Sequence, residues 1–240
     1  MSSTTWTPAA LASEARRWRA ALWRAVEAQH HTATLRLVDT LDEQAQLERL
    51  LEGSKPPVPA PAAGLHYLLA TPFRYPPRHP GGSRFRSATD PGVFYGAAEV
   101  RTACAELGYW RWRFLIESPA LPALAPVPHT LFRCRVHGLG LDLRAAPLSR
   151  DAALWTARDD YTHCQQLGVQ ARAADIQMIR YRSVRDPRGG ACTAVLTPAA
   201  FASPPEAEQS WRLSVTRQRV TWQRDSVLQP EGFEFAADWG

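Results

Sequence analysis

Hydrophobic residues near the start of the chain recur with the spacing of a helix. Thr7 and Pro8 form a favourable helix start, because a threonine hydroxyl can cap the first turn and proline is tolerated there. One face would then carry hydrophobic residues at intervals of four, three and four, namely Leu11, Ala15, Trp18 and Leu22. This pattern predicts one amphipathic helix from Thr7 to Leu22.

A second helix is predicted from a capping box. Thr40 is followed three residues later by Glu43, so each side chain can bond the backbone N–H of the other residue. The hydrophobic positions that follow are Leu47, Leu50 and Leu51. Gly53 is expected to end this helix, because glycine adopts the backbone conformation that closes a helix.

A proline-rich stretch separates these helices from the rest of the chain. Residues 54–64, SKPPVPAPAAG, predict an extended connector. Residues 1–60 are therefore expected to form a mostly helical lead-in, followed by a domain over residues 61–240.

The middle of the chain alternates between short strand and helix patterns. GVFYG, at 92–96, predicts a strand. From Ala98 a helical face follows, with Val100, Ala103, Cys104, Leu107 and Phe114. Pro119 and Pro122 are expected to stop that helix.

Later segments predict further strands and one more helix. Residues 131–136 alternate like a strand, and Gly138 and Gly140 predict a turn after it. A helix is expected from Asp159 to about Ala174.

The last third of the chain has the pattern of hairpins. Residues 175–184 and 192–197 predict two strands joined by the turn DPRGG, and residues 211–225 predict a late strand pair. Strands interleaved with short helices favour an α+β fold over a doubly wound sheet. The chain carries neither G-x-G-x-x-G nor G-x-x-x-x-G-K-[ST], which disfavours a Rossmann dinucleotide site and a P-loop.

Composition and charge add a preference for anionic ligands. The 45% hydrophobic content is that of a globular protein, and the net charge is +5. Lys55 is the only lysine, so 27 of the 28 cationic residues are arginines. A GC-rich genome explains that bias as a whole, and only clustered arginines are therefore given functional weight. Arginine suits phosphate because its planar fork donates two parallel hydrogen bonds.

The cysteines and the chain start indicate a reducing compartment. Cys104, Cys134, Cys164 and Cys192 form no C-x-x-C pair, which predicts buried thiols rather than a zinc site or a disulfide framework. The N-terminal sequence lacks the pattern of a signal peptide, and no apolar stretch has the length of a membrane helix. A cytoplasmic protein without a metal site is expected.

Two arginines lie in a glycine-flanked loop before the first strand of the domain. Arg84 and Arg86 could present guanidinium groups to a pyrophosphate, and backbone N–H groups of the loop could add to them. The alternative is a solvated basic turn, and the motif alone does not decide between the two.

Tyr95 and Glu106 follow this loop. Tyr95 closes the predicted strand, where its ring either stacks on a ligand or packs in the core. Glu106 lies in an apolar helical stretch, so it either pairs with Arg101 or Arg113 at the surface or lies at a cleft. A carboxylate close to a sugar could stabilise an oxocarbenium-like ribose by its charge and by hydrogen bonds to the hydroxyls.

Ser183 lies between arginines at the end of a predicted strand. Most such serines satisfy backbone groups. A role as nucleophile is disfavoured, because no His-Asp pair is spaced to activate it.

The order of these residues resembles the Arg…Glu…Ser pattern of the RES-domain family. Residues 82–110 carry Arg84, Tyr95 and Glu106, and the segment IRYRSVRDPRGG carries Ser183. Two positions depart from the usual family form: Ser83 replaces a glycine, and Arg182 replaces a common proline.

The resemblance implies both a fold and an activity. The RES-domain family is similar in fold to the ADP-ribosyltransferases, which implies a split β-sheet core with flanking helices and here a helical N-terminal lead-in. It also implies that NAD⁺ is the substrate and that the nicotinamide–ribose bond is cleaved. Phosphate or water could accept the ADP-ribose, or a protein target could be modified. The arginine content favours inorganic phosphate as co-substrate.

The resemblance also implies residue roles. Arg84 would bind the pyrophosphate, Tyr95 would pack on nicotinamide, Glu106 would stabilise the ribosyl cation, and Ser183 would orient Glu106 or hold a ligand hydroxyl. Arg24 or Arg74 would supply a second NAD⁺-binding arginine. Residues 23–31, WRAVEAQHH, resemble the opening strand of the family, and in that case the first segment is part of the core. His30 and His31 are given no role, because neighbouring residues of a strand face opposite ways.

As a family implication, the chain would be the toxin of a bacterial type II toxin–antitoxin pair. Its partner would be a cognate antitoxin, commonly with a helix-turn-helix part, that occludes the active site. A basic toxin suits an acidic antitoxin surface.

Two hypotheses in which the chain is not a catalyst remain open. Trp110, Arg111, Trp112 and Arg113 interleave rings and charges, as in a nucleic-acid-binding surface, although an amphipathic helix explains the same pattern more simply. The chain could also be an inactive family member that is kept for partner contacts.

Overall fold

The computed structural model describes residues 6–28, 37–77 and 79–239. In this part of the chain, six α-helices accompany one eight-stranded sheet, which confirms the predicted α+β class. The helices are α1 (Pro8–Glu14), α2 (Leu41–Ser54), α3 (Tyr67–Arg74), α4 (Val100–Ile116), α5 (Ala152–Trp155) and α6 (Thr162–Ala173). The strands are β1 (Arg16–Glu27), β2 (Phe94–Ala97), β3 (Leu124–Asp142), β4 (Met178–Arg182), β5 (Ala191–Val195), β6 (Glu206–Val215), β7 (Arg219–Arg224) and β8 (Gly232–Ala236).

The first predicted helix is right at its start and wrong beyond Glu14. Thr7 caps α1, because its hydroxyl accepts a hydrogen bond from the N–H of Ala10 at 3.3 Å. The chain then enters β1, which pairs with β3 along its whole length. Trp18 and Leu22 are four residues apart, a spacing that also places two residues on one face of a strand. Pairing with a distant strand therefore decided the structure here.

The second predicted helix is confirmed together with its capping box. The N–H of Glu43 donates to the Thr40 hydroxyl at 3.2 Å, and the N–H of Thr40 donates to the Glu43 carboxylate at 3.1 Å. The helix α2 continues one residue past Gly53 and has no buried residue. The boundary predicted near residue 60 stays a prediction, and the place of β1 inside the sheet favours the version in which the first segment is part of the core.

The sheet is ordered β1-β2-β5-β4-β3-β6-β7-β8, and β1 also pairs with β3. The pairings among β1, β2, β5, β4 and β3 therefore form a closed ring. The other edge of β3 is divided between two neighbours, with β6 along its first half and β4 at its end. This division splits the sheet into two parts that diverge from β3.

The turn predicted at Gly138 and Gly140 is wrong, because β3 runs through both glycines. A Cβ atom at Gly138 would lie 2.5 Å from the side-chain oxygen of Gln177, and one at Gly140 would lie 2.6 Å from the indole nitrogen of Trp18. The glycines therefore allow neighbouring side chains to cross the strand closely.

The other predicted elements of the domain are confirmed. The strand at 92–96 is β2, the helix after Ala98 is α4, and the helix before Ala174 is α6. The predicted hairpin is the antiparallel pair β4 and β5, and the late strand pair is β6 and β7.

The two faces of the sheet carry different helices. The buried residues of α3, Leu68 and Phe73 among them, pack on one face with Phe94 of β2. The other face carries α1, α5 and α6 against Tyr181 and Cys192, while α4 bridges this cluster and the core below β6 and β7. The four cysteines are buried and free. None of the described helices has the length and hydropathy needed to cross a membrane.

Candidate active site

A tight turn positions the first candidate arginine. The N–H of Ser83 donates to the Arg86 carbonyl at 2.7 Å, and the N–H of Arg86 donates back to the Ser83 carbonyl at 3.1 Å. Gly82 has φ +78°, and a Cβ atom there would lie 2.1 Å from the Arg86 carbonyl oxygen, so the position requires glycine. The side-chain amide of Gln165, on α6, donates to the carbonyls of Gly81 and Ser83. The turn is thus fixed to the helix behind it.

Arg84 is a buried cation at the tip of this turn. Its side chain lies over the Tyr161 ring, and Nη1 donates to the carbonyls of Trp155 and Ala157 at 2.9 Å each. Burial by itself lowers the pKa of Arg84, but nearby groups, Cys164 and Glu106 among them, raise it above the ordinary value of an arginine. The residue is 7% exposed, and no carboxylate in the described part of the chain forms an ion pair with it. Because a buried charge is costly unless it is paired, the position of Arg84 favours an anionic ligand.

Arg86 has different partners. Its Nε donates to the Asp90 carbonyl at 3.1 Å, and its Nη2 donates to the Tyr75 carbonyl at 3.0 Å. These bonds join the turn to residue 90 and to the end of α3, so Arg86 stabilises the turn through partners that Arg84 does not share.

The hydroxyl of Tyr95 holds the same turn. It accepts a hydrogen bond from the N–H of Phe85 at 3.0 Å and shares another with the Ser83 hydroxyl at 2.8 Å. Burial raises the pKa of Tyr95 to about 12, so the phenol is neutral at pH 7. Ser83, the departure from the family form, therefore has a partner of its own in this chain. Packing of Tyr95 on nicotinamide stays a prediction.

Glu106 and Ser183 lie far apart in the sequence and meet in the fold. The Ser183 hydroxyl lies 2.5 Å from Oε1 of Glu106, on α4, and accepts the N–H groups of Arg185 at 3.2 Å and Asp186 at 3.0 Å. A hydroxyl has one proton and two lone pairs, so the two N–H donors leave the proton for Glu106. The thiol of Cys192 also lies 3.8 Å from the same oxygen. The Ser183 hydroxyl thus donates to the carboxylate and has no free lone pair for attack. Its role in orienting Glu106 or holding a ligand hydroxyl stays a prediction.

The loop that carries Ser183 is anchored to the start of α4. The Asp186 carboxylate accepts a hydrogen bond from the Thr102 hydroxyl at 2.8 Å and lies 3.5 Å from Nε of Arg101. A Cβ atom at Gly190 would lie 2.1 Å from the Thr102 hydroxyl oxygen, so only glycine allows this approach. The loop and the helix therefore hold Ser183 and Glu106 in one rigid unit.

Arg185 is a site residue to which the sequence assigned no role. Its guanidinium lies 3.5 Å from the centroid of the Tyr109 ring, and Nη2 donates to the Arg158 carbonyl at 2.5 Å. The residue is 2% exposed. In the sequence, the only signal for Arg185 is its place two residues after Ser183 in YRSVR. The fold adds that the Tyr109 ring lies beneath its guanidinium.

A cleft of about 460 Å³ opens beside these groups. We call it the aromatic cleft, after the rings that line it: Tyr109, Trp110, Trp112, Tyr161 and Trp239. Tyr161 also stacks on Arg84, and Tyr109 on Arg185, so two rings of the cleft contact the two buried arginines. The interleaved segment 110–113 thus contributes its tryptophans to a cleft next to the site.

The contacts of Arg24 and Arg74 are with residues other than Glu106. Arg24, on β1, lies over the Phe94 ring at 4.6 Å and donates to the Tyr95 carbonyl at 2.8 Å. Phe94 belongs to the α3 side of the sheet, whereas Tyr95 packs on the other side. Arg74 forms an ion pair of 2.7 Å with Glu52. Their role in NAD⁺ binding stays a prediction, and His30 and His31 lie outside the described residues.

Comparisons with known proteins give the family. One chain of the crystal structure of the M. tuberculosis MbcT–MbcA toxin–antitoxin complex superposes with a TM-score of 0.48 at 15% identity, over 86% of this chain and 92% of that one. No curated protein matches the sequence. The model of the RES domain matches residues 56–216, more than half of the 240 residues. The chain therefore belongs to the RES-domain family.

Proposed function

We propose that this RES-domain chain degrades NAD⁺ and is the toxin of a bacterial type II toxin–antitoxin pair. The observation that supports the proposal most is the buried guanidinium of Arg84, which forms no ion pair with a carboxylate among the described residues and whose pKa the Glu106 carboxylate helps to raise. A dinucleotide brings an anionic pyrophosphate and a cationic glycosidic centre together. One buried cation and one oriented carboxylate match these two charges.

The proposed reaction breaks the bond between the nicotinamide nitrogen and C1 of its ribose. The bonding electron pair goes to nicotinamide, which leaves as a neutral base, and the ribose becomes an oxocarbenium-like cation. The Glu106 carboxylate stabilises that cation, and the Ser183 hydrogen bond fixes the direction of the carboxylate. An oxygen of the acceptor then bonds to C1 and loses its proton. In this proposal Arg84 binds the pyrophosphate.

The acceptor distinguishes three versions of the reaction. Inorganic phosphate would make the chain an NAD⁺ phosphorylase and water a glycohydrolase, whereas a protein acceptor would make it an ADP-ribosyltransferase. We favour phosphate or water over a protein acceptor, and buried arginines suit inorganic phosphate as a small anion. In the toxin–antitoxin pair, the partner would be a cognate antitoxin with a helix-turn-helix part that occludes the active site.

Expression in a bacterial host tests the toxin proposal. Induction of the wild-type chain is expected to lower the cellular NAD⁺ pool and stop growth, and the Glu106→Gln variant at the same protein level is expected to do neither. Growth arrest with an unchanged NAD⁺ pool would contradict the proposed degradation.

The two arginines of the turn are expected to respond differently to substitution. Arg84→Ala removes the proposed pyrophosphate partner, and a lost charge-assisted hydrogen bond costs about 1.5–3 kcal/mol. We expect KM for NAD⁺ to rise roughly tenfold to hundredfold. Arg86→Ala is the matched control, since it removes bonds to the Asp90 and Tyr75 carbonyls and should lower stability more than affinity. Equal rises of KM in steady-state assays of nicotinamide release would contradict the role of Arg84.

A further inference from the structure

Trp239 lies outside the span matched by the family model, which ends at residue 216, yet it contacts the proposed active site. Its indole N–H donates to the Arg185 carbonyl at 2.9 Å, in a buried position. Arg185 is two residues after Ser183, within the loop that orients Glu106. Trp239 is 4% exposed, so water competes little for this hydrogen bond.

The Arg185 carbonyl and the Asp186 N–H belong to one planar peptide group. Trp239 holds the carbonyl end of this plane, and the Ser183 hydroxyl accepts the N–H end at 3.0 Å. Ser183 in turn donates to Glu106 at 2.5 Å. Three hydrogen bonds therefore run from the indole to the carboxylate, and every donor points the same way along the chain. Bonds in such a series polarise one another and strengthen the last one.

The ring of Trp239 is fixed by its neighbours. It packs edge-on against Tyr109 with 5.8 Å between ring centroids and against Trp112 with 5.6 Å. Phe235, on β8, lies 6.5 Å away on another side. These contacts set the position of the indole N–H, so the donor reaches the loop from a rigid support.

We propose that Trp239 is a positioning residue for the reaction described above, and that it acts through the Arg185–Asp186 peptide and Ser183 on Glu106. The proposal rests on the proposed function, because it assigns Glu106 the reacting carboxylate. None of the three hydrogen bonds includes Arg84, the proposed pyrophosphate partner, whereas the last one ends on the Glu106 carboxylate. A change in Trp239 should therefore alter kcat rather than KM.

The chain offers a matched control away from this cleft. Trp211, on β6, is buried like Trp239, and its indole N–H donates to the side-chain oxygen of Gln209 at 3.0 Å. Trp239→Phe and Trp211→Phe each keep an aromatic ring and remove one N–H donor. Only the first removes a donor from the series that ends at Glu106.

Nicotinamide release from NAD⁺ is measured for both variants at a temperature where thermal melting shows each to be folded. One hydrogen bond contributes about 0.5–1.5 kcal/mol, so Trp239→Phe is expected to lower kcat roughly threefold to tenfold with KM almost unchanged. Trp211→Phe is expected to keep kcat. Equal losses in the two variants, or a loss confined to KM, would overturn the positioning role.

Amide hydrogen exchange supplies a second readout that needs no turnover. Trp239→Phe is expected to increase exchange at residues 185 and 186, and Trp211→Phe is expected to leave it unchanged. If the wild-type chain releases no nicotinamide, the proposed function fails, while exchange still decides whether Trp239 fixes the loop. Wild-type protection in Trp239→Phe would overturn the inference by itself.

Discussion

Replacing Glu106 by glutamine is expected to lower nicotinamide release from NAD⁺ by roughly 10²–10³-fold, the usual effect of removing one preorganised electrostatic group from an active site. The amide has nearly the shape of the carboxylate and keeps an oxygen that can accept the Ser183 hydroxyl proton. Only the negative charge facing the ribosyl cation is lost. Steady-state assays of the purified variant measure the effect.

A glutamate far from the cleft supplies the control. Glu208 is exposed on β6, so Glu208→Gln removes the same charge at a place without a proposed role. It should keep the wild-type rate. Full activity of a folded Glu106→Gln variant would contradict the mechanism, and equal losses in both variants would point to a general effect of charge.

Ser183→Ala is expected to reduce both stability and activity. It leaves the buried N–H groups of Arg185 and Asp186 without their acceptor, at about 1–3 kcal/mol each, so the free energy of unfolding should fall by about 2–6 kcal/mol. Glu106 also loses the hydroxyl that orients it, and we expect kcat to fall about tenfold or more. Urea unfolding and nicotinamide release measure the two effects.

Ser210→Ala is the control for this substitution. Ser210 is exposed on β6, so its replacement should change stability by no more than about 0.5 kcal/mol. Activity of Ser183→Ala is compared at urea concentrations where the variant is folded. A variant as stable and as active as the wild type would show that Ser183 neither holds the loop nor orients the carboxylate.

Elements that depend on neighbouring residues could be predicted from the sequence. The Thr40–Glu43 capping box forms between residues three apart, and the hairpin of β4 and β5 closes through the short turn that contains Gly189 and Gly190. Such elements depend on neighbouring residues, so their patterns are visible in the sequence.

Errors arose where distant residues decide the structure. Trp18 and Leu22 lie in β1 because β1 pairs with β3, more than a hundred residues away along the chain. The pattern at Gly138 and Gly140 predicts a turn, whereas both glycines lie in β3 and let Gln177 and Trp18 cross that strand. Neither contact leaves a local pattern in the sequence.

The candidate site also could be predicted from the sequence only in part. The order of Arg84, Tyr95, Glu106 and Ser183 carries the family resemblance, and the structure adds the hydrogen bonds that join Glu106 to Ser183 and Tyr95 to the arginine turn. The sequence does not predict a site role for Arg185, because its partner Tyr109 lies on another element, α4.

Incubation of the purified chain with NAD⁺, followed by chromatography of nicotinamide and the ADP-ribose product, tests the central claim most directly. Reactions with and without inorganic phosphate separate a phosphorylase from a glycohydrolase. We expect nicotinamide to appear in step with NAD⁺ loss in the wild-type chain and to be almost absent with Glu106→Gln. Intact NAD⁺ in every reaction of the folded wild-type chain would contradict the account.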